Sequence, residues 1–209
     1  MIDNIDVFKQ NSIRIKSGAG VIYIDPFKMD EEPHDADFIL ITHDHYDHFS
    51  PEDIDKIKKD DTVLIVPEKM LAKAQKADVK EIETVKPGTY HELGDLEFET
   101  IPMYNILKPF HPKTAGWCGY VLKIDGKRIY VAGDIDAIKE AKEVICDIAL
   151  IPIGGTYTTD AKKGADLVNE INPEIAIPVH YGCEVGKLSD AEVFKANVKD
   201  TIKVVIKIK

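Results

Sequence analysis

The chain has 209 residues, 44% hydrophobic and 31% charged, an ordinary globular make-up with enough length for a well-covered core, read as one domain over residues 1–209. A formal net charge of −10 leaves no surplus of Lys and Arg for phosphate backbones, and no apolar run approaches a membrane span, so neither a nucleic acid nor a membrane is expected as partner. Cys118, Cys146 and Cys183 are odd in number with no CxxC pair, and the amino terminus lacks a basic start or apolar stretch; the expectation is a cytoplasmic protein without a disulfide framework or secretory signal.

Short strands are expected at residues 5–8, 12–16 and 21–24, joined by turns such as Ser17-Gly18-Ala19-Gly20, the pattern of an antiparallel meander ending at Asp25-Pro26. Residues 37–41, Asp-Phe-Ile-Leu-Ile, read as a buried strand. That strand runs into Thr42-His43-Asp44-His45-Tyr46-Asp47-His48, which holds three of the chain's seven histidines. Alternate residues of an extended segment share a face, so His43 and His45 aim at one point. Asp47 and His48 lie past the bend and approach that point, or one beside it, from another side. Imidazole nitrogens with carboxylate oxygens are a donor set for zinc and its first-row neighbours, so the cluster is read as a metal site.

Beyond it, Ser50 caps and Pro51 opens a short helix running to Lys59, with Ile54 and Ile57 inward. A strand at 62–66, a helix at 68–77, weak strand signals up to Leu93 and a strand at 96–101 follow. Strands 119–124 and 128–131 form a hairpin about Asp125-Gly126. A helix is expected at 135–144, a strand at 147–153, a helix at 160–171 with Thr159 as its cap, a strand at 175–179, a helix at 190–196 and a last strand at 202–206. Buried strands need cover, and helices spread through the chain supply it for two sheets packed together. The expected fold is α/β, a four-layer αββα sandwich of two mixed sheets flanked by helices, with several strand ends along one edge.

Two distant segments repeat the logic of the cluster. Tyr130-Val131-Ala132-Gly133-Asp134 runs a strand into a carboxylate, and Ile177-Pro178-Val179-His180 runs one into an imidazole. Asp134 and His180 are therefore further candidate ligands.

On these residues the chain resembles the metallo-β-lactamase superfamily, whose His-x-His-x-Asp-His signature reads here as His43-Asp44-His45-Tyr46-Asp47-His48. Asp134 matches the family's later bridging aspartate and His180 its last histidine, so the resemblance spans essentially the whole chain. Within the superfamily it is similar to small stand-alone hydrolases related to the ascorbate-6-phosphate lactonase, which share Ile24-Asp25-Pro26. The resemblance implies two divalent transition metals, zinc first with manganese or iron as alternatives. One would be held by His43, His45 and Asp134, the other by Asp47, His48, His180 and the same Asp134. Two such ions about 3.5–4 Å apart lower the pKa of a shared water toward 7. Asp47 would also orient the nucleophile, with Asp25 or Thr42 fixing imidazole tautomers.

One position departs from the pattern. Where the family has a histidine between the cluster and Asp134, this chain has Asn105, in Pro102-Met103-Tyr104-Asn105, and an amide coordinates transition metals poorly. His111 is near enough to act either as the missing ligand or as a catalytic group touching substrate. His34 and His91 are expected at the surface, and Cys183 stands three residues after His180 as a minor ligand candidate. His111, Tyr181 or metal-bound water is the expected proton source for a leaving group.

The expected activity is metal-dependent hydrolysis of a small ester, lactone or phosphoester; the alternatives are a phosphodiesterase or nuclease, or a non-catalytic ligand-binding sensor with a degraded metal site. Lys108, Lys113 and the loop Gly154-Gly155-Thr156-Tyr157-Thr158-Thr159 point to a small anionic substrate. A small molecule is thus the expected partner, with a homo-oligomer left open.

Overall fold

A computed structural model describes residues 1–208. In the first sheet, β1 (Ile5–Val7), β2 (Ile13–Ser17) and β3 (Gly20–Ile24) pair antiparallel, and β3 continues in parallel through β4 (Ala36–Leu40), β5 (Lys58–Pro67) and β6 (Glu81–Val85). The second sheet repeats the plan. Strands β7 (Tyr90–Leu93), β8 (Leu96–Pro102), β9 (Cys118–Ile124) and β10 (Lys127–Val131) run antiparallel, and β10 continues in parallel through β11 (Ile148–Pro152), β12 (Ile175–Val179) and β13 (Lys203–Val204). In both sheets neighbouring strands follow sequence order.

The period-two alternation of a strand decides which residues meet between the sheets. Ile22, Ile24, Leu40 and Ile65 share one buried cluster with Phe98, Tyr120, Leu122 and Ile129 of the second sheet. Their neighbours Tyr23, Ile39, Leu64 and Val66 face the other way and are covered by Ile54 and Ile57 of α1 (Pro51–Ile57), Met70, and Ala74 of α2 (Leu71–Ala74). On the second sheet's side lie α3 (Lys139–Lys142), α4 (Ala161–Ile171) and α5 (Asp190–Asn197), with Ala165, Leu167, Val168 and Phe194 buried. The result is the four-layer helix–sheet–sheet–helix sandwich. Tyr120 ties the sheets together at the site end, its hydroxyl donating to Ile41 O at 2.6 Å. No helix among the described residues is long and apolar enough to cross a membrane.

Several local expectations are corrected. Residues 135–138 are not helical, because Thr159 N–H donates to Ile135 O at 2.9 Å and Asp136 anchors another loop through Ile106 N–H at 3.0 Å. The helix therefore shrinks to α3. The segment 68–77 is one α turn between two 3-10 turns, Glu68–Met70 and Gln75–Ala77. Helix α1 stops at Ile57, because Lys58 turns extended and begins β5. Asp160, not Thr159, caps α4: its carboxylate accepts from Lys162 N–H and Lys163 N–H, while the Thr159 hydroxyl donates to Pro152 O. The last strand is two residues long.

Candidate metal centre

Beyond β4 the chain stays buried through His43, then turns tightly, with His48 N–H and Phe49 N–H both donating to His45 O at 3.1 and 2.9 Å. The turn swings His48 back over His43, their ring centroids 3.9 Å apart. Asp134 follows β10 through Ala132-Gly133, and His180 follows β12, its backbone N–H donating to Gln10 O at 2.8 Å. His111 comes from the loop after β8, which its carbonyl closes by accepting from Asn105 N–H at 2.8 Å.

These side chains converge. Ligand atoms of His43, His45 and His111 lie within 4.8 Å of one another, as do those of His43, His48 and Asp134, and those of Asp47, His48 and His180. Asp134 stands between the first and last of these triads. Its Oδ1 is 3.2 Å from His180 Nε2 and 3.3 Å from His48 Nε2, while its Oδ2 is 3.5 Å from His111 Nε2. Buried atoms that find no hydrogen-bond partner are costly, and two of the few here are His111 Nε2 and Asp134 Oδ1, both turned into this cluster. A divalent cation would satisfy both, so the residues fit a metal.

A surrounding layer fixes which nitrogen faces inward. Asp25 Oδ2 accepts from His48 Nδ1 at 2.7 Å and from the Thr42 hydroxyl at 2.6 Å, and Thr42 in turn contacts His43 Nδ1 at 3.0 Å. Thr42 N–H and the Asn11 amide complete the hold on Asp25, each at 2.7 Å. On the other side Gln10 donates its amide to Asp47 Oδ2 at 3.2 Å and accepts from Glu184 N–H at 3.2 Å. Gln10, Asp25 and His180 all adopt positive φ, 53°, 46° and 57°. Three of the eight described non-glycine residues with positive φ thus gather at this one cluster, a local conformational cost the surrounding fold must hold.

The electrostatics call for positive charge. Burial and the neighbouring His48 and His111 push His43 well below the usual imidazole range, burial brings His111 down to about 4, and His45 is lowered for the same reason. These rings are neutral near pH 7, the form that donates a lone pair to a metal. Burial opposes ionisation of Asp134, yet His180 and His48 bring it down to about 2; Asp47 is likewise held low, despite burial, by His180 and His48. Burial disfavours the charged form of His48 too, but Asp134 and Asp25 outweigh it and raise it well above the usual range. A cationic charge at that point is what its two carboxylate neighbours demand.

The model of the β-lactamase superfamily domain matches residues 4–180. A metal-dependent hydrolase of Pyrococcus furiosus is 31% identical over 90% of this chain and 89% of its own length, and one of Thermoplasma acidophilum is 34% identical over 84% and 82%. The chain belongs to the metallo-β-lactamase superfamily, among its metal-dependent hydrolases. A solved structure of a candidate metal-dependent hydrolase from Parabacteroides distasonis, 29% identical, superposes with a TM-score of 0.82 over 98% of this chain and 93% of its own. The Ignicoccus hospitalis metallo hydrolase Igni18, 20% identical, shares the fold with a TM-score of 0.78 over 97% and 93%.

Within this superfamily member the sequence-derived positions divide clearly. His43, His45, Asp47, His48, Asp134 and His180 are brought together, and His111 joins them, while Asn105 sits behind His111. Asp44, within the signature, turns away to Lys73. His34 is exposed, His91 stacks on Phe98, and Cys183 is exposed; none joins the donor groups. Tyr181 is buried with its hydroxyl toward Ile208 O, away from the cluster, so it cannot serve a leaving group. Lys108 is tied to Asp136 and Thr158 O, and Lys113 to Glu140. Gln10 and Asn11 were missed; in the sequence they look like turn residues, and only the fold brings them beneath the cluster.

Proposed function

We propose that this superfamily member hydrolyses a small ester, lactone or phosphoester with two divalent transition ions, zinc first, manganese or iron being compatible with the same donors. The observation that carries the reading is Asp134, whose two oxygens face two separate donor triads. His43, His45, His111 and Asp134 would hold one ion; Asp47, His48, His180 and the same Asp134 the other. Bound there, the ions would polarise the attacked carbonyl or phosphoryl oxygen and bring the pKa of water toward 7.

The chain's own groups do the rest. A cavity of about 460 Å³, of a size for a small molecule, opens over the cluster and is lined at its base by His45, Asp47 and Asp134. Asp47, ionised and steadied by Gln10, orients water by accepting its hydrogen bond. His111 is read as a ligand and not as an acid, since Nδ1 is committed to Asn105 and Nε2 points into the donor set. The three-imidazole group that includes His111 speaks for an intact centre over a degraded sensor.

The test is metal analysis joined to assay. Purified protein supplied with zinc or manganese should hold about two ions per chain and cleave esters or lactones, and His45→Ala should abolish cleavage. A folded protein that takes up no metal under these conditions would overturn the reading.

A further inference from the structure

Above the metal-ligand cluster the cavity wall is aromatic. Its lining beyond His45, Asp47 and Asp134 consists of Tyr46, Phe110, Tyr157, Glu184 and Val185. Phe110 and Tyr157 meet edge to face, their centroids 4.8 Å apart at 87°, and Tyr46 packs edge to face on Phe27. These three rings are nevertheless 66% (Tyr46), 42% (Phe110) and 38% (Tyr157) exposed, a large apolar surface left open at the mouth of one cavity.

No Lys, Arg or His stands among these upper lining residues. Three lysines around the cavity are engaged elsewhere: Lys108 with Asp136 and Thr158 O, Lys113 with Glu140, and Lys28 with Glu184. The buried hydroxyls of the loop are spent as well, since Thr158 and Thr159 donate to Thr159 O and Pro152 O. A phosphate or carboxylate on the substrate's far end would meet no cationic side chain in this lining and only the neutral phenols of Tyr157 and Tyr46, so its desolvation would be poorly compensated. Glu184 gives no strong pull on a cation either. One of its oxygens pairs with Lys28, and the other accepts from the Tyr46 hydroxyl at 3.1 Å.

We infer that the substrate carries an uncharged, flat apolar or aromatic group, seated against Phe110, Tyr157 and Tyr46, on the bond the centre cleaves. This rests on the hydrolase reading and narrows its substrate class to esters and lactones whose flanking group is neutral and apolar. Water adds its oxygen to the acyl carbon, the acyl C–O bond breaks, and the water's protons end on the released alcohol and on solvent, leaving a carboxylate.

The experiment uses zinc-loaded protein and three hydroxamates of equal length, in which a common chelating head anchors at the metals and the tails are phenyl, carboxylate and trimethylammonium. Affinity is read by calorimetry and zinc by elemental analysis. The phenyl tail should bind about tenfold or more tighter than either charged tail. Tyr157→Ala, zinc content intact, should cut that preference about threefold or more, and Tyr157→Phe should keep it. Phe110→Ala should act like Tyr157→Ala. A charged tail that binds as well as phenyl, or a preference untouched by both alanine variants, overturns the inference while the zinc count leaves the hydrolase reading standing. Protein that takes up no zinc fails that reading, and the inference falls with it.

Discussion

His111 Nδ1–H donates to the side-chain carbonyl of Asn105 at 2.8 Å, and this bond turns the other ring nitrogen toward Asp134. The Asn105 amide nitrogen in turn donates to Tyr157 O at 3.0 Å, linking the imidazole to the loop that lines the cavity. The residue that breaks the family pattern is thus the orienting partner of the imidazole proposed to fill it. Replacing Asn105 by Leu should leave His111 free to rotate and weaken metal binding at the His43–His45–His111 triad about 10–100-fold. Asn105→Asp keeps an acceptor for Nδ1–H and should retain most of the affinity. Competition with a zinc chelator reads both.

Trp117, the chain's single tryptophan, offers a reporter for that triad. Its ring centroid is 5.1 Å from His43, 5.2 Å from His45 and 5.7 Å from His111. Cobalt or copper bound there should quench its fluorescence. His180→Ala should keep the quench while the stoichiometry falls to about one ion per chain, whereas His111→Ala should lose most of the quench at low metal. Equal titrations of wild type and His111→Ala would remove His111 from the ligand set.

The cluster was legible because its spacing is local: four donors lie within six residues, and although β4 ends at Leu40, a tight turn closing on His45 O folds His43, His45 and His48 together. Asp134 and His180 were legible because each ends an apolar strand, and the fold needs those ends at one edge. The Asn105 and His111 pair was not settled by sequence. Both lie in one irregular loop, and which side chain faces inward depends on backbone bonds such as Asn105 N–H to His111 O. Gln10 and Asn11 were invisible for a related reason, since a turn residue and a buried amide on a strained backbone look alike until the second sheet is in place. The helix at 135–144 failed because tertiary bonds to Ile135 and Asp136 outweigh propensity. The lysines were expected at the substrate, but each found a carboxylate elsewhere.

Asp53 predicts acid sensitivity in the wall beside the centre. Its carboxylate accepts from Lys28 N–H, Met29 N–H, the Ser50 hydroxyl and Lys56, pinning the loop after Asp25 onto α1. Burial alone would raise it, but Ser50, Met29 and Lys56 hold it below the usual carboxylate range. A depressed folded-state value adds stability above the unfolded value of about 3.9, lost as pH falls through the lower folded value. Asp53→Asn should therefore cost about 1–3 kcal/mol at pH 7, with the gap to wild type closing below about pH 4. Thermal melts of chelator-treated protein from pH 7 to 3 check this; a gap that widens in acid would contradict it.

Gly133 controls where the bridging carboxylate points. Its φ is +66°, and a Cβ built there would lie 2.6 Å from Met103 Sδ and 3.1 Å from Thr42 Cβ. Met103 Sδ is also the atom 3.2 Å from Asp134 N, so the sulfur cannot move aside without disturbing the carboxylate's own backbone. Left-handed backbone and overpacking together should make Gly133→Ala cost about 2–4 kcal/mol. Asp134 faces both donor triads, so its displacement should lower affinity for both ions together, unlike the selective loss expected for Asn105→Leu. Met103→Ala in the Gly133→Ala background removes the nearest atom in the way and leaves the backbone strain and the Thr42 contact. If the double variant recovers metal content while remaining less stable than wild type, the Met103 contact sets the carboxylate's position; if metal content stays low, the backbone angle and the Thr42 contact do.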